Sequence, residues 1–145
     1  MSVPARVSLV TPGVADVDRS TAFYQALGWP LSSSSVPGEV SFFRTAGGLL
    51  AVFSAAELAE DANLADAPPV TGFRGVALAI NVESPAEVDA AIEAAAAAGG
   101  TVLKPGMVVS WGGYSGYFAD PDGHAWEVAH NPGWPIGADG RPTLP

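Results

Sequence analysis

The sequence repeats one order of predicted elements: a strand, a helix and then three strands occur twice along the chain. The second set lies about 68 residues after the first, as measured from Leu9 to Ala77. A single set of this size has too few elements to bury its own sheet, so the two sets must share a core. We therefore predict one domain over residues 1–145, built from two βαβββ modules.

The first module is predicted over about residues 5–54. Arg6–Val14 has the apolar content of a strand, and Pro12 predicts a kink near its end. A helix follows, because Asp16 can accept hydrogen bonds from its first free amides, apolar residues recur at helical spacing, and Gly28 stops it. Three short strands complete the module, at about Leu31–Ser35, Val40–Thr45 and Leu49–Ser54.

A linker over about residues 55–71, rich in alanine and acids, is predicted to hold a short, surface-exposed helix. The second module follows over about residues 72–131. In the strand Gly75–Val82, large apolar residues alternate with small ones, and Ser84 begins a capping box that opens a helix ending at Gly99. Strand segments follow near Thr101–Lys104 and Val108–Ser110, then near Gly116–Ala119, and the last strand is predicted at Ala125–His130.

The last part of the chain, about residues 132–145, is predicted to be irregular. Prolines and glycines make up much of it, and they favour neither a helix nor a strand. Two alternatives stay open: a frayed tail, or a strap that lies on a partner subunit.

The charge balance limits the partners of the chain. Six basic against fifteen acidic residues give a net charge of -9, so no basic surface is expected for nucleic acid or for an anionic membrane. Cysteine is absent, which excludes disulfides and thiolate metal sites. No apolar run is long enough for a membrane span, and the start of the chain lacks the apolar core of a signal peptide, so we expect a soluble, cytoplasmic protein.

Two motifs carry a resemblance to a known family. They are the strand-to-helix segment Gly13–Trp29, with its Asp-x-Asp-Arg-Ser and Phe-Tyr pattern, and the hairpin Tyr117–Val128, with Asp-Pro-Asp-Gly-His-x-Trp-Glu. Over about residues 5–131 the chain resembles the glyoxalase, bleomycin-resistance and extradiol-dioxygenase superfamily, also called vicinal oxygen chelate proteins. The resemblance implies an α+β fold in which paired βαβββ modules form a curled, cup-like mixed sheet with helices on the outer face. It also implies a homodimer and a binding site for a small-molecule ligand on the concave face.

Enzymes of this family typically hold one divalent ion through histidine and glutamate side chains at four strand positions, and the resemblance transfers these positions to the chain. Three of them fall on Leu9, on Ala77 and within residues 49–53, where no side chain can bind a metal. Only Glu127 matches its ligand position. We therefore expect no ordinary family metal site and no cofactor.

A rearranged divalent-metal site is the alternative to a lost one. His124 and His130 flank Glu127 along the chain, and Glu39 can approach from another strand. In an extended strand, however, residues three apart face opposite sides, so Glu127 points away from both histidines. His124 is better suited to capping the preceding turn, and His130 to the surface.

The segment 111–117 interleaves three aromatic residues with glycines, which gives flat stacking surfaces on a backbone that can bend closely around a ligand. We predict that Trp111, Tyr114 and Tyr117 bind the ligand. The alternative is a glycine-rich connection whose aromatic rings pack against the other module or a partner.

Further candidates come from strand alternation. Asn81 lies on the small-residue face of its strand, and Glu127 lies among small side chains, where it is either a base or cation anchor in the cup or a residue exposed at its rim. Phe42 and Phe43 face opposite sides, so one belongs to the core, and we assign Phe43 to the ligand site. Arg44 is either an anion anchor or a solvated arginine.

Two functions from different classes follow. The first is a binding protein that captures a small organic molecule, with a basic one favoured by Glu127, in an apolar cup whose usual metal site is largely lost. The second is a lyase, isomerase or dioxygenase that uses a rearranged divalent-metal site or Glu127 as general base. A dimeric adaptor is a third possibility, but it leaves the small-residue face and the aromatic loop without a role.

Overall fold

A computed structural model describes residues 2–145, and within this range the chain forms three helices and two four-stranded mixed sheets. This confirms the predicted α+β class, although the two sheets stay separate and do not close into a barrel. No helix in this part of the chain has the length and apolarity to cross a membrane. The elements are β1 (Leu9–Val10), β2 (Gly13–Val14), α1 (Val17–Ala26), β3 (Val40–Thr45), β4 (Gly48–Ser54), α2 (Ala55–Asp61), β5 (Ala77–Asn81), α3 (Pro85–Ala97), β6 (Thr101–Val108), β7 (Tyr114–Ala119) and β8 (Ala125–His130).

The first strand is broken in two, as the kink predicted at Pro12 requires. Leu9 of β1 pairs with Leu49 of β4, and Gly13 of β2 pairs with Phe53, both in parallel. The register is the same on both sides of the break, because the same number of residues separates the two partners of each pair. Pro12 interrupts the ladder since it has no N–H to donate, and the strand then resumes on the same edge of β4.

The helix caps follow the sequence signals. The Asp16 carboxylate accepts a hydrogen bond of 3.0 Å from the Arg19 amide at the start of α1, and the chain leaves that helix through Gly28, whose φ is 89°. At the start of α3, the Glu87 amide donates to Ser84 Oγ over 3.2 Å, while a Glu87 carboxylate oxygen accepts from the Glu83 amide. The Ser84 half of the predicted capping box is thus present, while the Glu87 carboxylate accepts from the amide one residue before the N-cap.

The prediction of a strand over Leu31–Ser35 is wrong. Only Leu31 pairs, through an isolated bridge to Phe43, and the serines that follow form a turn against β3. Ser35 Oγ accepts from the Phe42 amide over 2.9 Å, and Ser32 Oγ accepts from the Ser34 amide. Serine hydroxyls here take backbone hydrogen bonds that a strand ladder would need, so the first module has two strands after its helix where three were expected.

The two strands predicted near Thr101–Lys104 and Val108–Ser110 form one strand, β6. It pairs antiparallel with β7, and its register shifts twice, between Val102 and Lys104 and again before Met107. Bulges of this kind absorb extra residues without ending a strand, which is why Pro105 does not end β6.

The tail folds back on its own chain, which neither predicted alternative anticipated. Thr143 donates its amide to the Pro135 carbonyl, and Ile136 bridges to Pro142, so the segment forms a narrow loop. The Arg141 Nε donates to the Ala46 carbonyl over 2.7 Å and fastens this loop to the β3–β4 turn. The tail is therefore a strap within one chain.

The second sheet has the order β5-β8-β7-β6, with β5 parallel to β8. Several of its large apolar side chains lie in the core or pack against it, namely Leu78, Ile80, Phe118, Trp126 and Val128. The small residues of β5 that alternate with them face the other way. We call the face of each sheet opposite its helix the open face.

One core joins the two modules, and α1 lies at its centre. Phe23 and Tyr24 of α1 contact Phe118 and Trp126 of the second sheet, with ring centroids 6.3 Å and 6.0 Å apart. The Tyr24 hydroxyl also donates to Asp120 Oδ2 over 2.8 Å and accepts from Trp126 Nε1. Burial raises the pKa of Tyr24, and the charge of Asp120 raises it further.

We predict that Tyr24→Phe lowers the free energy of unfolding by about 1–3 kcal/mol, because Asp120 is only 2% exposed and would lose a buried hydrogen-bond donor. Tyr114→Phe is the matched control. Its hydroxyl donates to Asp89 over a similar 2.9 Å, but in an exposed setting where water can replace it. Urea denaturation of the three proteins measures the difference, and equal stabilities of the two variants would contradict the central role of the Tyr24 bond.

Candidate ligand-binding site

The open face of the second sheet is lined by small side chains that surround one carboxylate. Strands β5 and β8 pair so that Ala79 lies beside Glu127, and Asn81 beside Ala129. The neighbouring side chains Leu78 and Trp126 face the helices and pack against the core. Alternation therefore brings Asn81 and Glu127 to one face, as the sequence predicts.

Tyr117 holds Glu127 on this face. The two residues pair directly across β7 and β8, and the Tyr117 hydroxyl donates to Glu127 Oε2 over 3.0 Å. Burial raises the pKa of Tyr117, and the hydrogen bond to Glu127 and the charge of that carboxylate raise it further. At neutral pH Tyr117 is therefore a hydrogen-bond donor, and within residues 2–145 Glu127 Oε1 makes no hydrogen bond.

A pocket of about 390 Å³ opens on this face. Trp111, from the predicted aromatic loop, forms one wall, and Trp134, from the strap, forms another. The lining residues are Ala79, Asn81, Trp111, Glu127, Ala129, Asn131 and Trp134. The sequence does not predict Trp134, because only the fold-back of the tail brings it to the sheet, and an indole within the proline- and glycine-rich tail was the one available signal. Asn131 directly follows β8, and continued alternation from Glu127 and Ala129 places it on this face.

The assignment of Tyr114 to the ligand site is wrong for this geometry. Tyr114 lies on the helix side of β7, and its hydroxyl donates to Asp89 of α3 over 2.9 Å. The hydrogen bond to Asp89 raises the pKa of Tyr114, with smaller contributions from burial and from the charge of Asp89. Alternation explains the error, since Tyr114 and Tyr117 are three positions apart in one strand and therefore face opposite sides.

The assignment of Phe43 to the open face is also wrong. Phe43 is fully buried against α1, and its ring centroid lies 5.8 Å from that of Tyr24. The neighbouring residue Phe42 instead faces the open side of the first sheet, where it lines a shallow pocket with Arg44.

The family resemblance implies four metal-ligand positions, and the register of the sheets shows how these positions correspond between the two modules. Leu9 pairs with the residue two before Ala51, and Ala77 pairs with the residue two before Glu127, so Ala51 and Glu127 are equivalent in the two modules. The four positions thus hold three hydrocarbon side chains and one carboxylate. This set does not fit a divalent ion, which needs three or four donors.

Both histidines use a ring nitrogen on a backbone carbonyl. His124 Nε2 lies 2.8 Å from the Gly13 carbonyl oxygen, and His130 Nδ1 lies 3.3 Å from that of Val82. Since a carbonyl only accepts, these nitrogens carry protons in these hydrogen bonds and do not face a metal. Over residues 2–145, no three histidine, aspartate or glutamate side chains group closely enough to hold a metal ion.

Comparison with known proteins places this geometry in context. Residues 6–128 match the family model of the Glyoxalase/Bleomycin resistance protein/Dioxygenase superfamily. A glyoxalase-related enzyme from Fulvimarina pelagi is 39% identical and superposes with a TM-score of 0.83, covering 97% of this chain and 99% of that one. The resemblance seen in the two sequence motifs is therefore confirmed.

More distant structures share the fold. A glyoxalase/bleomycin resistance protein/dioxygenase from Nocardioides is 30% identical, with a TM-score of 0.72 over 90% of this chain and 85% of that one. A lactoylglutathione lyase from Agrobacterium tumefaciens is 23% identical, with a TM-score of 0.67 over 90% of this chain and 96% of that one, which shows likeness of fold alone. No curated protein matches the sequence.

The pair on the open face yields a prediction for tyrosine ionisation. Glu127→Gln removes the negative charge beside Tyr117, so the pKa of Tyr117 falls towards its ordinary value of 10.0 while burial still holds it above that value. A spectrophotometric titration of phenolate absorbance measures the shift. The same substitution in a Tyr117→Phe background should leave the titration unchanged, and a shift that persists there would contradict the pairing.

Proposed function

The chain belongs to the glyoxalase/bleomycin resistance protein/dioxygenase superfamily, and within it we propose a protein that binds a small organic molecule and needs no divalent ion to do so. The observation that carries this proposal is the pocket on the open face of the second sheet. It joins two indoles and one oriented carboxylate in a space of about 390 Å³, which is the size range of ligand pockets.

The lining favours a flat ligand. Trp111 and Trp134 offer large planar surfaces, while the alanines of β5 and β8 leave the backbone open to close approach. Glu127 Oε1 and the Asn81 amide supply the polar contacts that would orient the molecule. Because Tyr117 already holds the other oxygen of Glu127, the carboxylate is positioned before the ligand arrives, which lowers the entropic cost of binding.

The donor set supports binding without metal. The resemblance implies that Leu9, Ala51 and Ala77 occupy positions where family enzymes hold their ion, so a single carboxylate would hold a divalent ion only weakly. Ligand affinity is therefore expected to survive exhaustive treatment with a chelator.

An enzyme is the second candidate function, and the Tyr117–Glu127 pair is the observation that favours it. A carboxylate whose partner tyrosine stays protonated can accept a proton from a bound substrate, as in isomerase or lyase chemistry. The Fulvimarina pelagi protein, described as a glyoxalase-related enzyme, is consistent with this reading. In this scheme Glu127 is the base, and Tyr117 orients it.

Tryptophan fluorescence tests the proposed function, because two of the four tryptophans line the pocket. We expect a saturable change with at least one compound from a library of flat aromatic and basic molecules, both before and after chelator treatment. Glu127→Gln should weaken that compound about tenfold, the size of one lost charge-assisted hydrogen bond. Glu93→Gln, on the exposed side of α3, is the matched control and should leave the affinity unchanged.

Three outcomes decide between the functions. A flat response across the library contradicts the binding proposal. If the bound compound is converted to a product and Glu127→Gln abolishes the conversion, the enzymatic function replaces the binding function. Elemental analysis that finds about one divalent ion per chain, lost in Glu127→Ala, overturns metal-free binding.

We also propose the homodimer that the family resemblance implies. On the open face of the first sheet, Leu9 and Leu49 pair side by side and stay 42% and 40% exposed, which supports a second copy covering them. Sedimentation equilibrium should give a dimer, and Leu49→Lys should give a monomer. Val70→Lys, at an exposed apolar site in the linker, is the control, and a monomeric unsubstituted protein would contradict the proposal.

A further inference from the structure

A second pocket, of about 400 Å³, lies where the strap meets both modules, and we call it the arginine pocket. It shares Ala79 and Asn81 with the pocket on the open face, but its charge is opposite: it is lined by two arginines and by no acidic residue. The chain has only six basic residues against fifteen acidic ones, so two arginines at one pocket stand out. The lining residues are Trp29, Pro30, Arg44, Thr45, Ala46, Gly47, Ala79, Ile80, Asn81, Trp126, Gly140, Arg141 and Pro142.

The strap holds Arg141 in place. Its Nε donates to the Ala46 carbonyl over 2.7 Å, and its backbone amide donates to Asp139. Gly140 permits the close approach, because its φ is 78° and a Cβ there would lie 3.1 Å from that of Ala46. Within residues 2–145 the two Nη groups of Arg141 make no hydrogen bond, so they remain available to a ligand.

Arg44 reaches the same pocket from β3. It lies on the open face of the first sheet, since Phe43 beside it packs against α1. In the described part of the chain its guanidinium has neither an ion pair nor a hydrogen bond, whereas Arg19 pairs with Asp122 and Arg74 donates to the Asp122 carbonyl. Arg44 and Arg141 thus bring to one cavity two guanidinium groups that form no salt bridge within the described residues.

Two tryptophan side chains also line this pocket. The indoles of Trp29 and Trp126 meet edge to face, with centroids 5.4 Å apart and planes at 85°. Trp126 is almost fully buried and fixed by its hydrogen bond to Tyr24, so this wall is rigid. The cavity therefore combines a flat apolar surface with two guanidinium groups that can each present a fork of N–H donors to a planar oxyanion.

We propose that this pocket binds a flat aromatic carboxylic acid, with its carboxylate on Arg44 and Arg141 and its ring against Trp29 and Trp126. The inference deepens the proposed function and rests on it, since it takes the ligand to be a small organic molecule. It adds that the ligand is an anion, whereas the carboxylate of Glu127 alone favours a basic ligand.

A matched pair of probes tests the charge requirement. 2-Naphthoate and 2-naphthamide share one ring system and differ in whether the polar end is an anion. Isothermal titration calorimetry should show that the full chain binds 2-naphthoate about tenfold more tightly or better. Arg44→Gln and Arg141→Gln should each weaken 2-naphthoate about tenfold and leave 2-naphthamide unchanged, and Arg6→Gln, at the exposed start of the chain, should affect neither.

A strap variant tests the positioning of Arg141. Gly140→Ala is strained at its positive φ and crowds Ala46, so it should move Arg141. We expect weaker binding of 2-naphthoate, with the affinity for 2-naphthamide and the circular dichroism spectrum unchanged. Arg141→Lys keeps the charge but loses the fork, and it should restore only part of the affinity that Arg141→Gln removes.

The inference is overturned if 2-naphthoate fails to bind, if both probes bind equally, or if both arginine variants bind 2-naphthoate as the unsubstituted chain does. These results are separable from failure of the proposed function. A 2-naphthamide or library compound that binds and is weakened by Glu127→Gln keeps the proposed function while the arginine pocket is discarded.

Discussion

The buried hydrogen bond between Tyr24 and Asp120 determines how the two modules meet. Asp120 Oδ1 accepts from the amides of Asp122 and His124 and shapes the turn before β8, while its Oδ2 accepts from the Tyr24 hydroxyl of α1. One carboxylate therefore organises a turn in the second module and anchors the helix of the first. The two sequence motifs that carry the family resemblance meet at this contact, which gives a physical reason for their occurrence in one chain.

The position of the candidate site follows from that contact. Trp126 donates to the Tyr24 hydroxyl and stacks on Phe118, so its side chain is fixed on the helix side of β8. Strand alternation then leaves Glu127 only the open face, where Tyr117 is its direct partner. A loosened Tyr24 contact would free the indole that also forms the rigid wall of the arginine pocket. The stability of the fold and the proposed ligand binding thus share one determinant.

The sequence predicts those parts of the site that depend on alternation within one strand. The sequence predicts that Asn81 and Glu127 lie on one face, because large and small residues alternate along their strands. It failed for Phe43 and Tyr114, since a local pattern separates the two faces of a strand but does not say which face a helix will cover. The sequence does not predict the positions of Trp134 and Arg141, because they reach the sheets through the strap. The strap is held by hydrogen bonds to residues far along the chain, and such contacts produce no periodic pattern in the sequence.

The net charge of -9 and the arginine pocket have opposite consequences for an anionic ligand, and distance decides between them. At physiological ionic strength exposed charges are screened beyond roughly 8 Å, so most of the fifteen acidic residues act weakly on a molecule inside the pocket. Arg44 and Arg141 would touch that molecule directly, where a charge-assisted hydrogen bond outweighs a screened long-range field. The acidic surface slows the approach of an anion without cancelling its binding.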